Sequence, residues 1–471
     1  MFHNIIINLL PQNSIKTMKM KRFLLVIAIV TGFSISSGLA QKTWTLEECI
    51  QYALDNNIQI KRQELQTELT KNNLQQSNFQ VLPNLNGSMS HRWDFGRNIN
   101  PITNEISTNA SMSDGFGLSS SVTLFNGFQT LNSIKQNRYL QEKSLQDFKK
   151  AQNDISLQIA TAFLQILFSE EALNIAQSQL DVTALQLEKT KRLVEVGSKA
   201  KGDLLQIQAQ EASEKFNVVN AKNNLNIANL TLIQLLEIKT LEGFKTSRPD
   251  SVPMNYNNAL TSVDDIYKEA EAKLPQIKSA EFSLKSAEKG LDISRGQMSP
   301  RLSLSGSLGS RYSDANKMSD PITGKPTSTY SFNTQIKSNS YQSIGFDLSI
   351  PIFNNFQTNY SISNSKIRVK DSQYSLEQTK KSLYAEIQKA HSDALGALEK
   401  YNAANEAVLS NQEAFKYTQQ KYDVGVVSSV DFNVAKNNLT KAKSDLIQAK
   451  YQYVFNIKVL DFYRGIPISL K

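Results

Sequence analysis

The chain is written twice, and that duplication limits its architecture more than any other property of the sequence. Gln59-Ile60-Lys61 returns as Gln276-Ile277-Lys278, and Pro83-Asn84-Leu85 returns as Pro300-Arg301-Leu302, both at an offset of 217. Leu124-Phe125-Asn126-Gly127-Phe128-Gln129-Thr130 returns as Ile352-Phe353-Asn354-Asn355-Phe356-Gln357-Thr358, and Val196-Gly197 with Asp203 returns as Val424-Gly425 with Asp431, at an offset of 228. The offset grows by eleven between Pro300 and Ile352, which places a longer loop in the second copy. The expected division is therefore a first repeat over 41–240, a linker over 241–262 carrying Pro249 and Pro253, a second repeat over 263–460, and a C-terminal tail over 461–471.

Each copy opens on a helical pattern. Thr45-Leu46-Glu47-Glu48 fits a capping box, and Cys49, Ile50, Ala53, Leu54 and Ile58 follow at helical spacing. This predicts one helix to about Phe79, ended by Pro83, with a counterpart over about 264–297 ended by Pro300. Cys49 lies on the apolar stripe and reads as a core thiol.

The period then changes from near 3.6 to 2. Leu302, Leu304 and Leu308 alternate with Ser303, Ser305 and Ser307. Phe346, Leu348 and Ile350 alternate with Gly345, Asp347 and Ser349, and similar patterns run through 85–93 and 116–124. Four strands of about ten residues follow, each with one Ser/Asn/Asp/Gly face and one apolar face. That is the dyad pattern and length of a membrane β-barrel strand; a soluble sandwich with one solvated face has the same alternation. The polar loops 96–114 and 313–340 would face outward.

After each strand pair comes a run with almost no helix breaker. Residues 128–196 hold neither Gly nor Pro, and 356–424 hold only Gly396. Each predicts a helix of about 100 Å at 1.5 Å per residue. Such a helix needs partners along its length. The turns at Val196–Lys201 and Val424–Ser429 send the chain back through shorter helices over 203–238 and 431–460. One long helix would then pair with two half-length helices stacked end to end, with a slightly shorter return helix in the second copy.

The N-terminus gives a destination. Met18-Lys19-Met20-Lys21-Arg22 precedes an apolar core, Phe23 to Phe33, and Ser34 to Ala40 ends in small residues. Residues 1–40 thus read as a signal peptide cleaved after Ala40, with 1–17 an upstream extension; a retained anchor is the alternative, although the core is short for a span. These 40 residues hold four Lys/Arg and no acid, so the formal +9 falls to +5 in the mature chain, which argues for no nucleic-acid partner. One Cys and three His exclude a disulfide framework and a Cys- or His-cluster metal site. No Ser/His/Asp set or phosphate loop is present, and Ser286-x-x-Lys289 and Ser363-x-x-Lys366 are chance matches in a Ser- and Lys-rich chain, so neither catalysis nor a cofactor is expected.

Four amphipathic strands cannot cross a bilayer alone, because both sheet edges would leave backbone groups unpaired in hydrocarbon. Two copies would make eight strands with a filled interior; three make twelve with a wider lumen. The expected fold class is an α+β membrane protein, internally duplicated. It has a long antiparallel α-helical coiled-coil barrel, and its four β-strands are contributed to a shared 12-stranded trimeric outer-membrane β-barrel. Two rivals remain: a secreted coiled-coil structural or adhesion protein, and a periplasmic adaptor, which would need a lipoyl-like or barrel module between its helices.

At these residues the chain resembles the TolC-like outer-membrane efflux proteins. Thr45 to Asn57 looks like that family's opening L-x-x-A-i-x-x-A-L-x-N-N helix, with Cys49 in place of Ala. Pro83-Asn84-Leu85 resembles its P-x-L entry to the strands, and Leu124 to Phe128 and Ile352 to Phe356 resemble its P-L-F-x-G-G exit. Tyr422-Asp423-Val424-Gly425 with Asp431 resembles its periplasmic tip. The resemblance implies a homotrimer in outer-membrane lipid, with its helices in the periplasm. It would dock an inner-membrane transporter through a periplasmic adaptor and export drugs, toxic solutes or proteins. It also implies a gate at the tip, where Asp203, Asp431 and Tyr422 match gate positions, while the gate arginine falls on Val427 and a second acidic position on Val434. Helix capping is the competing role for both aspartates. Gly197 and Gly425 suit tight tip turns. Phe125, Phe128, Phe353 and Phe356 suit either a membrane interface or packing at the junction.

Overall fold

The computed structural model describes residues 43–99, 104, 106–108, 110–240, 243–248, 261–324 and 326–470. The signal-peptide assignment and much of the linker lie outside the described residues.

The opening segment forms two helices where the sequence predicts one: α1, Leu46–Asn56, and α2, Ile58–Phe79. The Thr45–Glu48 capping box starts α1. Asn57 makes the break, because its N–H closes α1 on Ala53 while its Oδ1 accepts from Gln59 N at 2.9 Å and opens α2. Its Nδ2 donates to the Leu235 carbonyl at 3.0 Å, so the break is tied to a distant helix end. After α2 come strands β1, Asn86–Asp94, and β2, Ser111–Phe125, then the long helix α3, Gln129–Glu195, and its return α4, Lys201–Leu235.

The second copy repeats this order. Helix α5, Val263–Lys273, and helix α6, Pro275–Gly296, are broken at Leu274, where proline takes the first helical position. Strand β3, Arg301–Ser313, a folded loop containing helix α7, Phe332–Ser338, and strand β4, Tyr341–Ser349, lead to α8, Gln357–Asp423, and α9, Ser429–Tyr463. Both long helices have 67 residues and both return helices 35, so the expected shorter second return is incorrect. The longer second loop is not plain coil. Gln335, fully buried in α7, accepts from Ser313 N at 3.0 Å and donates to Ser313 O at 2.9 Å, completing the ladder at the end of β3.

The four strands form one antiparallel sheet in the order β1-β2-β3-β4. Its register sets Phe116 beside Met89 and Leu118 beside Leu308 on one face, and Ser119 beside Ser307 on the other. The helices nearest the sheet pack in matching order: α2 on α3, α3 on α6, α6 on α8. Further away, α4 pairs with α3 and α9 with α8 along their lengths, and α9 touches α3. Between these halves lies the main core, where Leu46, Ile159, Phe163, Ile166, Leu232 and Val454 are buried together with Cys49. The tail folds back on this core: Ile468 and Leu470 are buried, and Ser469 Oγ donates to Glu47 Oε1 at 2.6 Å.

Each strand-to-helix junction is made of two consecutive left-handed residues, Gly127-Phe128 at φ +65° and +59° and Asn355-Phe356 at +53° and +61°. Asn126 Nδ2 donates to Thr130 Oγ1 at 2.8 Å, and Asn354 donates to Thr358 in the same way, pinning the helix start. Phe125 meets Phe128 edge to face, as Phe353 meets Phe356, and all four rings are exposed. Core packing in one chain therefore does not account for them. At Gly127 a Cβ would lie 2.4 Å from the Gly296 carbonyl oxygen, so this crossing admits only glycine.

Candidate functional site

The two hairpins, α3–α4 and α8–α9, end side by side, and all the tip residues singled out in the sequence fall there. The turns are built alike. Gly197 at φ +76° and Gly425 at φ +79° close the two long helices, and open space surrounds both, so backbone conformation rather than crowding calls for glycine. The helices leaving the turns begin differently. Ser428 and Asp431 form a reciprocal capping box, in which Ser428 N donates to Asp431 Oδ2 at 3.3 Å and Asp431 N to Ser428 Oγ at 3.2 Å. Ala200 caps α4 with no side-chain bond.

The two aspartates therefore do different work. Asp431 is exposed and engaged in its own helix cap. Asp203, half-buried, reaches the other hairpin: Ser429 Oγ lies 3.0 Å from Asp203 Oδ1 and 2.8 Å from Gln206 Oε1. One hydroxyl proton serves one acceptor, so Ser429 donates to Asp203 while the Gln206 amide, turned end for end, donates to Ser429. Tyr422 is buried, and its hydroxyl has no hydrogen-bond partner among the described residues. Its ring is held instead by stacking on Phe432 at 4.8 Å and by the Lys199 ammonium of the other hairpin, 3.7 Å from the ring centre. Lys189 of α3 adds an ion pair to Asp423 of α8 at 2.5 Å. With Val427 and Val434 in place of the expected polar residues, the hairpins are held by these links.

Higher on the bundle lies a set that sequence reasoning missed. Lys436 of α9, Glu214 of α4 and Thr183 of α3 are each no more than 3% exposed and form one cluster. Lys436 Nζ is 3.0 Å from Glu214 Oε1, both groups bond the Thr183 hydroxyl, and Gln210 Nε2 donates to Glu214 at 2.9 Å. Burial pushes the Lys436 ammonium below the usual lysine range, and Glu214 offsets only part of that shift. A signal was available, because Lys436 sits between Phe432 and Leu439 on the buried stripe of α9, where a soluble helix places an apolar residue.

Taken together, fold and tip define a class: a duplicated helical tube joined to a partial membrane barrel, with a hairpin tip held by polar links. The profile of the outer membrane efflux protein family matches residues 49–237 and 266–462. The chain belongs to the outer membrane efflux protein family. It is similar to the outer membrane protein TolC of Escherichia coli, 26% identical over 445 residues, covering 92% of this chain and 84% of the relative. It is also similar to the alkaline protease secretion protein AprF of Pseudomonas aeruginosa, 24% identical over 327 residues, covering 68% and 63%. Among solved structures it shares its fold with the CusC channel (TM-score 0.74, 19% identity, 92% and 96% covered) and with VceC of Vibrio cholerae (0.73, 14%, 90% and 96%). The adhesin and adaptor readings give way to this family. Its members are export channels rather than enzymes.

Proposed function

We propose that three copies of this chain assemble into the outer-membrane duct of a tripartite efflux or type I secretion system. The barrel lies in the outer membrane, the helices cross the periplasm, and the segment through Ala40 is removed on export. The observation that carries this is one uninterrupted open edge. Among the described residues β1 and β4 have no partner on their outer sides, and the helices continuing them, α2 and α8, are the outer helices of their layer. Both helices present exposed apolar rows along that edge: Ile58, Leu65 and Leu69 on α2, and Tyr360, Ile367 and Tyr374 at seven-residue spacing on α8. On the lower half, α4 exposes Phe216 and Val219 and α8 exposes Leu409 and Tyr417. One long edge, β4 with α8, thus fits the composite edge β1, α2 and α4 of the next copy. Four alternating strands per copy keep every junction antiparallel, so the ring closes.

The lumen is the Ser/Gly face, because the Leu, Ile and Phe face must meet lipid. The strands run 9 to 15 residues, enough to cross with tilt. Asp203, Asp431 and Tyr422 mark the constriction at the far end. Transport is driven by an inner-membrane transporter reached through a periplasmic adaptor. Leu69 and Ile367 each lie ten residues, about 15 Å, from the barrel end of their helices. A chain carrying Leu69→Cys with Ile367→Cys, in a Cys49→Ala background, should oxidise in the membrane to a closed trimer. Either cysteine alone should give none. Monomer from the double variant would contradict the seam.

A further inference from the structure

We propose that Arg92 and Arg311 form a cationic band around the outer third of the barrel lumen that binds multivalent anions at the exit. This rests on the channel reading, which makes the Ser/Gly face the lumen. Register places both arginines on that face. Arg92 pairs with Ser113 and Ser113 with Ser313, while Arg311 pairs with Gly115 and Gly115 with Ser90. The two side chains therefore rise from adjacent levels of a floor made of serine and glycine. Close contact supports the shared face, because a Cβ on Gly115 would stand 2.7 Å from Ser90 Oγ.

Both arginines are exposed, and among the described residues neither guanidinium has an ion-pair partner. Asp94 is the one strand carboxylate on this face at this end, so each copy contributes two cations against one anion. The other end of the same face is balanced. There Arg301 bonds Thr123 Oγ1 at 3.3 Å, and Asp347 accepts from Ser305 Oγ at 3.0 Å. Between the two ends the lumen face carries no charge on the described strands, since β2 offers Ser113 to Ser121 and β3 offers Ser303 to Gly309. Charge is thus concentrated at the mouth, where six guanidiniums in a trimer converge across a lumen lined by small side chains. Rings of like charge at close quarters set ion preference in pores. Arginine also keeps its charge at every accessible pH.

The test uses the purified full-length protein in planar bilayers, with hexacyanoferrate(III) added on the side opposite the protein, which the barrel mouth faces. Wild type should show block that weakens as salt rises. R92Q/R311Q should need about tenfold more anion for the same block, while R301Q should match wild type. Conducting channels whose block is the same in R92Q/R311Q and wild type overturn the band alone. A protein that never conducts overturns the channel reading and the band with it. Glutamine on a solvated strand face preserves the β pattern, and the conductance of the variant itself reports its folding.

Discussion

Replacing Lys436 with methionine should loosen the hairpin pair more than any surface substitution of similar size. Lys436 and Glu214 are both 3% exposed, and their 3.0 Å contact joins α9 to α4. Removing one member of a buried pair strands the other charge, at a cost of about 3–5 kcal/mol. Here Gln210 and Thr183 still bond Glu214, so the cost belongs near the low end, about 3 kcal/mol, or roughly a hundredfold in the equilibrium between joined and parted hairpins. Lys436→Met with Glu214→Leu removes both charges and should fall within about 1 kcal/mol of wild type. Lys441→Met, which breaks the exposed pair with Asp445 at 3.8 Å, should cost well under 1 kcal/mol. Denaturant midpoints of the detergent-extracted protein measure all three. A pH series adds a sign. The folded state holds Lys436 below its ordinary 10.5, so the unfolded chain binds the extra proton between the lowered value and 10.5, and stability should rise with pH across that window. Lys436→Met should flatten that rise. A midpoint for Lys436→Met equal to that of Lys441→Met would refute the reasoning.

At the tip, replacing Asp203 and Asp431 together with alanine should weaken block by multivalent cations in single-channel recordings, and unchanged block would remove the acidic constriction. The same variant loses the Asp203–Ser429 bond and keeps only Gln206 on that hydroxyl, so its channels should also open more often. Gly127→Ala forces a Cβ to 2.4 Å from the Gly296 oxygen at a left-handed residue, and should cost at least about 1–2 kcal/mol and lower the yield of folded protein in the membrane. Wild-type yield would mean that the crossing can relax.

Much of this architecture was open to reading because it follows from local pattern. The absence of Pro over 128–196 and 356–424, with Gly396 the one glycine in the two runs, predicts helices whose observed bounds fall within a residue or so of those runs. The two-residue alternation locates all four strands. The double Phe-Asn-x-Phe motif marks both strand exits, though its pair of left-handed residues is a backbone property that residue type alone does not announce for phenylalanine. The breaks at Asn57 and Leu274 were missed because hydrophobic spacing continues across them. Asn57 turns from helix residue to double cap only when the end of α4 offers it a carbonyl. The tip shows the same limit. Tyr422 was assigned a gate role from its motif, but its partners, Lys199 and Phe432, come from a different hairpin and a different helix. Likewise Lys436 meets Glu214 across 222 residues of sequence, and no local window pairs them.

The mass of the detergent-extracted complex, measured by light scattering with the detergent contribution subtracted, tests the whole account most directly. Three chains per particle is the result expected of a wall that each copy builds by one third. A stable single-chain particle that still partitions into the membrane would contradict it.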